Sequence, residues 1–416
     1  MTSIGREFAE VLERAFGHAV RWRSDVGDRP VFQTFDPGEL RAVLGPDGMP
    51  ERGEEAGTVL DALARAGELG ATASAGPRYF GYVIGSSLPV ALAADWLVSA
   101  WDQNATLYSC GPGVSVIEEV CAGWLVDLHR QRAASHLHRS ALRYLGMGTR
   151  VRSLACERSG AVDTRDLSAA LEEAERPPIV CVQAGDINTG AVDPLAEICE
   201  RVHARDGWVH VDGAIGLWAL ASADHRHLLR GADLADSWTT DAHKWLNVPF
   251  DCGMAFVAHP AAHTAALRVS ADYLETSRHR DQINTVPEWS RRARSVPVYA
   301  ALRALGRAGV ADLVDRNIGH ARHMAARLAG EPGIEVLNDV VLNQVLVRFT
   351  GPGHDPDGLT AEVIRRVQRE GTCWLSGSVF AGRQVMRVSV CSWLTTKDDI
   401  DRSADAIIGC FRDAFA

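Results

Sequence analysis

Residues 208–214 read WVHVDGA, and residues 235–245 read ADSWTTDAHKW. In the first stretch a β-rich apolar run delivers Asp212 to the end of a strand, and Gly213 and Ala214 follow, small enough to let a flat ring approach. The second places Lys244 beyond another strand-like run and just before a turn at Pro249. A third stretch, QAGDINTG at 183–190, is a strand exit rich in small and hydroxyl residues, Thr189 among them. Open α/β sheets bind ligands at the carboxyl ends of their strands, so three exits of this kind define one candidate edge.

Working outward, short apolar runs at 179–182, 208–211 and 254–257 alternate with helical stretches, one of them near 195–205. That alternation predicts a largely parallel sheet with helices on its faces. Upstream, apolar residues recur at helical spacing over 88–101 and 114–128. Downstream, a long Ala/Leu/Arg pattern follows Pro297, and strands at 340–349 and 385–390 bracket a helix near 359–369. The expected organisation is an N-terminal arm over 1–75, a large α/β domain over 76–300, and a smaller C-terminal α/β domain over 301–416.

Composition narrows the class. Of 416 residues, 46% are hydrophobic and 23% charged, the balance of an ordinary folded protein. A formal net charge of -10 repels polyphosphates and anionic membranes, so neither nucleic acid nor membrane is an expected partner. Arg6, Glu7, Glu10 and Glu13 stand where a signal peptide needs an unbroken apolar run. The nine cysteines include no C-x-x-C pair, which argues against a disulfide framework or structural zinc and for a reducing cytoplasm. Phosphate-loop, zinc-protease, nucleophile-elbow and dinucleotide fingerprints are absent, and the H-x-H pairs at 136/138 and 225/227 read as surface histidines, so no metal is expected.

A lysine and a carboxylate at neighbouring strand ends could form a simple salt bridge. Pyridoxal 5'-phosphate offers a sharper reading: its aldehyde takes a lysine, its pyridine nitrogen needs an acidic partner, and its ring faces need small or aromatic neighbours. Lys244, Asp212 and Ala214 supply those roles in turn.

HVDGAIGLWA at 210–219, ADSWTTDAHKW and the following Asp251-Cys252-Gly253 resemble the group II pyridoxal-phosphate-dependent decarboxylases, which include the aromatic-amino-acid and glutamate decarboxylases. The likeness extends to PRYFGYVIGSSLPVALAADWL at 77–97, SRRAR at 290–294 and SWLTTKDDI at 392–400. It implies the aspartate-aminotransferase fold (fold type I), a homodimer, an amino-acid substrate, and decarboxylation through a lysine Schiff base. It makes Lys244 the Schiff-base lysine, Asp212 the partner of the ring nitrogen and Ala214 a neighbour of the ring. His243 would lie near the phosphate and Thr189 near the ring or its hydroxyl. His136 is either the histidine that stacks on the ring or a helix-surface residue. Arg387, with Arg294 as second candidate, would meet a substrate carboxylate or else serve an ion pair; Phe80 and Trp101 would line an apolar pocket or else the core.

The chain departs from that family in two places. Between Leu128 and the HLHRSALRYLG segment at 136–146 it is short, and the Gly/Ser/Thr-rich turn ending in Ala-Asn that cradles the phosphate is expected to be missing, so that either Arg130, Arg132 or another basic group substitutes or cofactor affinity is poor. At the position of the proton-donating loop tyrosine stands Val286. Two alternatives follow from these departures: a transaminase or aldehyde-forming outcome, and a degenerate relative without catalysis.

Overall fold

The computed structural model describes residues 3–32, 34–45, 49, 51–129, 151–268 and 281–415. Its centre is a four-stranded sheet of β1 (Ile179–Gln183), β2 (Trp208–Asp212), β3 (Ser237–Asp241) and β4 (Gly253–Val257), adjacent in that order. The first three run parallel, and β4 closes the row antiparallel to β3. Val209, His210 and Val211 are all buried, as a strand covered on both faces requires, whereas β1 alternates exposed and buried residues along one edge.

Three helices precede the sheet as an arm: α1 (Ser3–Asp25), α2 (Pro37–Leu44) and α3 (Ala56–Gly70). Asp61 of α3 receives Arg14 and, at 2.8 Å, His18 of α1, which pins the two helices together. Next come α4 (Pro89–Trp101) and α5 (Pro112–His129). After the undescribed residues, α6 (Thr164–Glu173) leads into β1, α7 (Leu195–His203) joins β1 to β2, and α8 (Pro260–Leu267) follows β4. The 35-residue α9 (Ser295–Ala329) crosses the expected boundary near residue 300 and is kinked at Gly306, whose φ of 61° and ψ of 179° leave the helical region. It packs both on α4 and α5 and on the C-terminal unit.

That unit is an antiparallel sheet of β5 (Ile334–Val336), β6 (Gln344–Phe349), β7 (Ser376–Phe380) and β8 (Arg383–Ser389), in the order β5-β6-β8-β7. Helices α10 (Pro356–Glu370) and α11 (Lys397–Phe415) cover it. Asp355 caps α10 by accepting the Gly358 amide at 2.8 Å, Pro356 occupies the first turn, and Gly371 ends the helix at φ 85°.

Two large apolar cores result, with a smaller third cluster of Ala94, Val98, Val114, Ala293 and Val296. One joins Val182, Val211, Trp218, Trp238 and Trp245 under the large sheet, and the other joins Val347, Phe349, Met386, Val388 and Ile407 in the C-terminal unit. Between them runs a polar seam. Arg78 and Asp399 form a buried ion pair at 3.0 Å, and the Thr395 hydroxyl donates to the Pro77 carbonyl at 2.7 Å. Asn247, fully buried at φ 55°, accepts the amides of Ser86 and Trp393 at 2.9 Å each and donates to the carbonyls of Trp245 and Cys391. One side chain thus ties three segments together, a network whose worth depends on every member being satisfied.

Candidate active site

Parallel pairing makes β1, β2 and β3 end on one side, and their exits build the site. Asp212 is the last residue of β2, in register with Gln183 and Thr239. The turn after it is stitched to β3: the Gly213 amide donates to the Thr239 carbonyl at 2.8 Å and the Asp241 amide to the Ala214 carbonyl at 3.4 Å. The Ala214 amide donates to Asp212 Oδ1 at 3.0 Å, which holds the carboxylate at the mouth of its own turn. Lys244 lies three residues past the end of β3, and its Nζ meets Asp241 Oδ2 at 2.9 Å. Asp212, Ala214, His243 and Lys244 therefore share one edge, as the three strand exits predicted.

The loop before α4 closes over this edge. A Cβ added to Gly85 would sit 1.9 Å from the Lys244 carbonyl oxygen, so only glycine allows the approach. Just upstream, Tyr82 and Val83 hold positive φ of 53° and 62°, a conformation that is costly for a β-branched residue and that concentrates at functional sites.

His243 packs on Phe250 at 4.6 Å, and its Nδ1 lies 3.1 Å from the Cys252 amide and 3.0 Å from the Cys252 carbonyl. Burial pushes its pKa down, only partly opposed by Asp241 and the Cys252 carbonyl, so the ring is favoured neutral. Beside it opens a cavity of about 420 Å³ between α5, β4 and residues 282–298.

Other expected residues land elsewhere. Thr189 is buried with its hydroxyl donated to Asp186 Oδ1 at 3.0 Å while it accepts the Ala191 amide, so it holds its own turn rather than offering that hydroxyl to a ring. Phe80 is 1% exposed and belongs to the C-terminal apolar core; its amide and carbonyl pair with Trp374 and Ser389, which places it inside the packing and not on a pocket wall. Trp101 lies on α4 with 44% of its surface exposed. Arg294 is spent on Asp251 at 2.9 Å and Glu288 at 3.1 Å, the ion-pair alternative. His225 is buried against Ser222 and Asp315 and is not a surface histidine. His136, Arg130, Arg132 and the shortened phosphate segment lie outside the described residues.

Arg387 does reach the seam. It sits on β8, 6% exposed, with Nε lacking a hydrogen-bond partner among the described residues. Burial pushes its pKa down, and the nearby Asp186 and Tyr82 oppose that. Tyr82 in turn lies over Trp374 at 5.4 Å, and Trp374 stacks on Tyr79 at 5.0 Å. Asp241, Tyr82 and the Asn247 hub were not singled out from sequence. An acid three residues before a lysine in a turn carries no periodic signal, and the other two matter only through distant contacts.

The residues present fit the ring of pyridoxal phosphate. Amine and carboxylate stand at the ends of adjacent parallel strands, small residues lie between them, and Thr239, register partner of Asp212, has a buried hydroxyl without a hydrogen-bond partner among the described residues. A sheet of this topology with a separate C-terminal sheet is the fold type I architecture of pyridoxal-phosphate enzymes; the crystal structure of Oryza sativa TDC with PLP and tryptamine superposes with a TM-score of 0.89 over 98% of each chain at 20% identity. Residues 131–350, just over half of the chain, match the pyridoxal-dependent decarboxylase conserved domain, and the chain belongs to that family of pyridoxal-phosphate-dependent amino-acid decarboxylases. Among its relatives, tryptophan decarboxylase 2 of Oryza sativa subsp. japonica is 24% identical, covering 89% of this chain and 88% of that one. The 4-hydroxyphenylacetaldehyde synthase of Rhodiola rosea is 24% identical over 90% and 88%.

Proposed function

We propose that this decarboxylase acts on an aromatic amino acid at the edge where β2 and β3 end, as a homodimer in the cytoplasm. The observation that carries the reading is the placement of Asp212 and Lys244 at the ends of neighbouring parallel strands. When bound, pyridoxal phosphate supplies an aldehyde for an amine and a ring that draws electrons from the carbon losing carbon dioxide. Lys244 provides the amine. Asp212 holds a proton at the ring nitrogen, Ala214 leaves space for the ring, and His243 packs at its border. Arg387, desolvated and with Nε lacking a hydrogen-bond partner among the described residues, receives the substrate carboxylate. The Tyr82–Trp374–Tyr79 stack beside it offers an aromatic side chain a matching surface.

The dimer reading rests on α1, where Ile4, Phe8, Leu12, Phe16 and Val20 recur every fourth residue and are each 44–65% exposed. Such a stripe needs a partner, and a second copy supplies one. All nine cysteines are free thiols, in keeping with a reducing compartment. Among the described residues, no helix is long and apolar enough to cross a membrane.

Lys244 and Lys397 are the only lysines in the chain, and Lys397 is an exposed partner of Asp401 on α11. Borohydride reduction with added pyridoxal phosphate should therefore label Lys244 alone of the two. A peptide map without that label at saturating cofactor overturns the assignment.

A second outcome has its own observation. Val286 lines the cavity beside His243 and brings no acidic hydrogen. If protonation of the carbon fails there, one dioxygen and one water are consumed per turnover, and the products are an aldehyde, carbon dioxide, ammonia and hydrogen peroxide. Incubation with tryptophan, tyrosine and phenylalanine separates the outcomes: carbon dioxide with amine supports simple decarboxylation, and carbon dioxide with aldehyde and peroxide supports the other.

A further inference from the structure

The Lys244–Asp241 pair is built with more care than a surface contact. Both side chains are about four-fifths buried, at 21% and 19% exposure, and the nitrogen–oxygen distance is 2.9 Å. Asp241 is the last residue of β3. Its amide is tied to Ala214, its carbonyl lies 3.4 Å from the Trp218 indole nitrogen, and it pairs in register with Gly253. A Cβ on Gly253 would lie 3.3 Å from Asp241 Oδ1, so the glycine leaves the carboxylate room. Asp241 also lines the 420 Å³ cavity, whose nearby wall includes Leu125, Met254, Val286 and Val298. The carboxylate thus faces two ways, toward the lysine and toward a space with an apolar wall.

This arrangement has a consequence once Lys244 is used. A carboxylate held in partial burial is costly without a cation, and the Lys244 nitrogen ceases to be a free ammonium whenever it enters a covalent bond. We propose that Asp241 is a positioning residue with two successive partners. It steadies the Lys244 ammonium in the unloaded protein, and when that lysine is engaged it seats the ammonium group of an incoming substrate or departing product amine, with the amine's apolar body in the adjoining cavity before or after the aromatic side chain lies on the Tyr82–Trp374–Tyr79 stack. The inference rests on the assignment of Lys244 as the reactive amine, and it adds a recognition element for the amino group that this assignment does not contain.

The test needs no cofactor and no turnover. Lys244→Met keeps the apolar stem and removes the charge, leaving Asp241 in want of a cation. Calorimetry with phenethylamine should show binding to Lys244→Met that is about tenfold or more tighter than to wild type, and a similar loss in the double variant Lys244→Met with Asp241→Asn. Methylamine, with charge but no ring, should bind the single variant more weakly than phenethylamine, and the uncharged 2-phenylethanol should not distinguish single from double variant. Restoring the acid as Asp241→Glu in the Lys244→Met background should recover part of the binding. Should Lys244→Met fail to fold, Lys244→Gln carries the same comparison, with a thermal shift by phenethylamine as readout. Equal amine binding with and without the Asp241 carboxylate, or none in a folded Lys244 variant, overturns the proposal. Labelling of Lys244 in wild type is scored separately, so loss of the amine seat and loss of the lysine assignment give different results.

Discussion

The two sheets meet the site in opposite ways. In the large sheet three parallel strands end together, and each exit leaves a turn at the same edge, so Asp212, the Asp186 turn and the Asp241–Lys244 pair are gathered by topology alone. The C-terminal sheet is antiparallel, and its strand ends scatter to both sides. From the middle of β8, a strand whose last five residues are buried, it brings Arg387 near Asp186 and Tyr82. The first arrangement brings groups whose backbones are free to adapt. The second brings one charge whose position is fixed by core packing, and which must bear its own desolvation.

That contrast can be broken by substitution. The largest effect is expected at the parallel edge: Asp212→Asn should lower turnover roughly a hundred- to ten-thousand-fold, because the ring nitrogen loses its acidic partner. The same change should cost no more than about 1.5 kcal/mol of stability, since the side-chain oxygen of asparagine can still accept from the Ala214 amide. Full turnover by Asp212→Asn contradicts the assignment. Phe80→Ala should do the reverse, costing about 3–5 kcal/mol by leaving a cavity in the C-terminal core while leaving the ranking of aromatic substrates alone. Urea midpoints together with kcat/KM for two substrates decide it, and a changed ranking would return Phe80 to the pocket. Arg387→Met should raise KM about 10- to 100-fold with a smaller change in kcat, and should leave stability unchanged or higher, since a desolvated guanidinium gives way to an apolar stem. A stability loss with unaltered KM would make Arg387 a structural ion.

These expectations also mark what could be read from the chain. Strands β1, β2 and β4 and helices α4, α5, α7 and α10 lie within a few residues of their predicted places, because apolar periodicity and β-branched runs are local properties. Asp212 and Lys244 were legible in the same local way: Asp212 directly follows the apolar run 208–211, and Lys244 stands three residues beyond the strand-like run that ends at Asp241. Phe80 was not, because an aromatic residue in an apolar stretch looks alike whether it lines a pocket or fills a core, and only its backbone pairing with Trp374 and Ser389 decides. The family resemblance implied that Thr189 lies near the ring or its hydroxyl, but Asp186, three residues before it, accepts its hydroxyl. The short β5 and β7 went unseen, since three residues of Ile-Glu-Val and a Ser/Gly-rich edge carry little pattern.

A smaller effect sharpens the comparison from beneath the large sheet. His129, at the end of α5, is 1% exposed and packs edge-on against Trp218 at 5.0 Å and Phe256 at 5.9 Å, two residues of the core beneath the large sheet. Burial pushes its pKa down from 6.5 to about 3, only partly offset by the Leu217 backbone. In the unfolded chain the ring takes up a proton below its ordinary value; in the folded protein it does not until far lower. The unfolded state therefore binds more protons over that window, and stability must fall as the pH drops from 6.5 towards 3, with nothing gained or lost above it. At about pH 5.5 this one group should cost about 1.4 kcal/mol relative to neutrality. His129→Leu removes the titration while keeping an apolar filling, so its urea midpoint should decline less on acidification than that of wild type. If the two decline in parallel, the imidazole is protonated in the folded state and the large sheet does not owe its acid sensitivity to this ring.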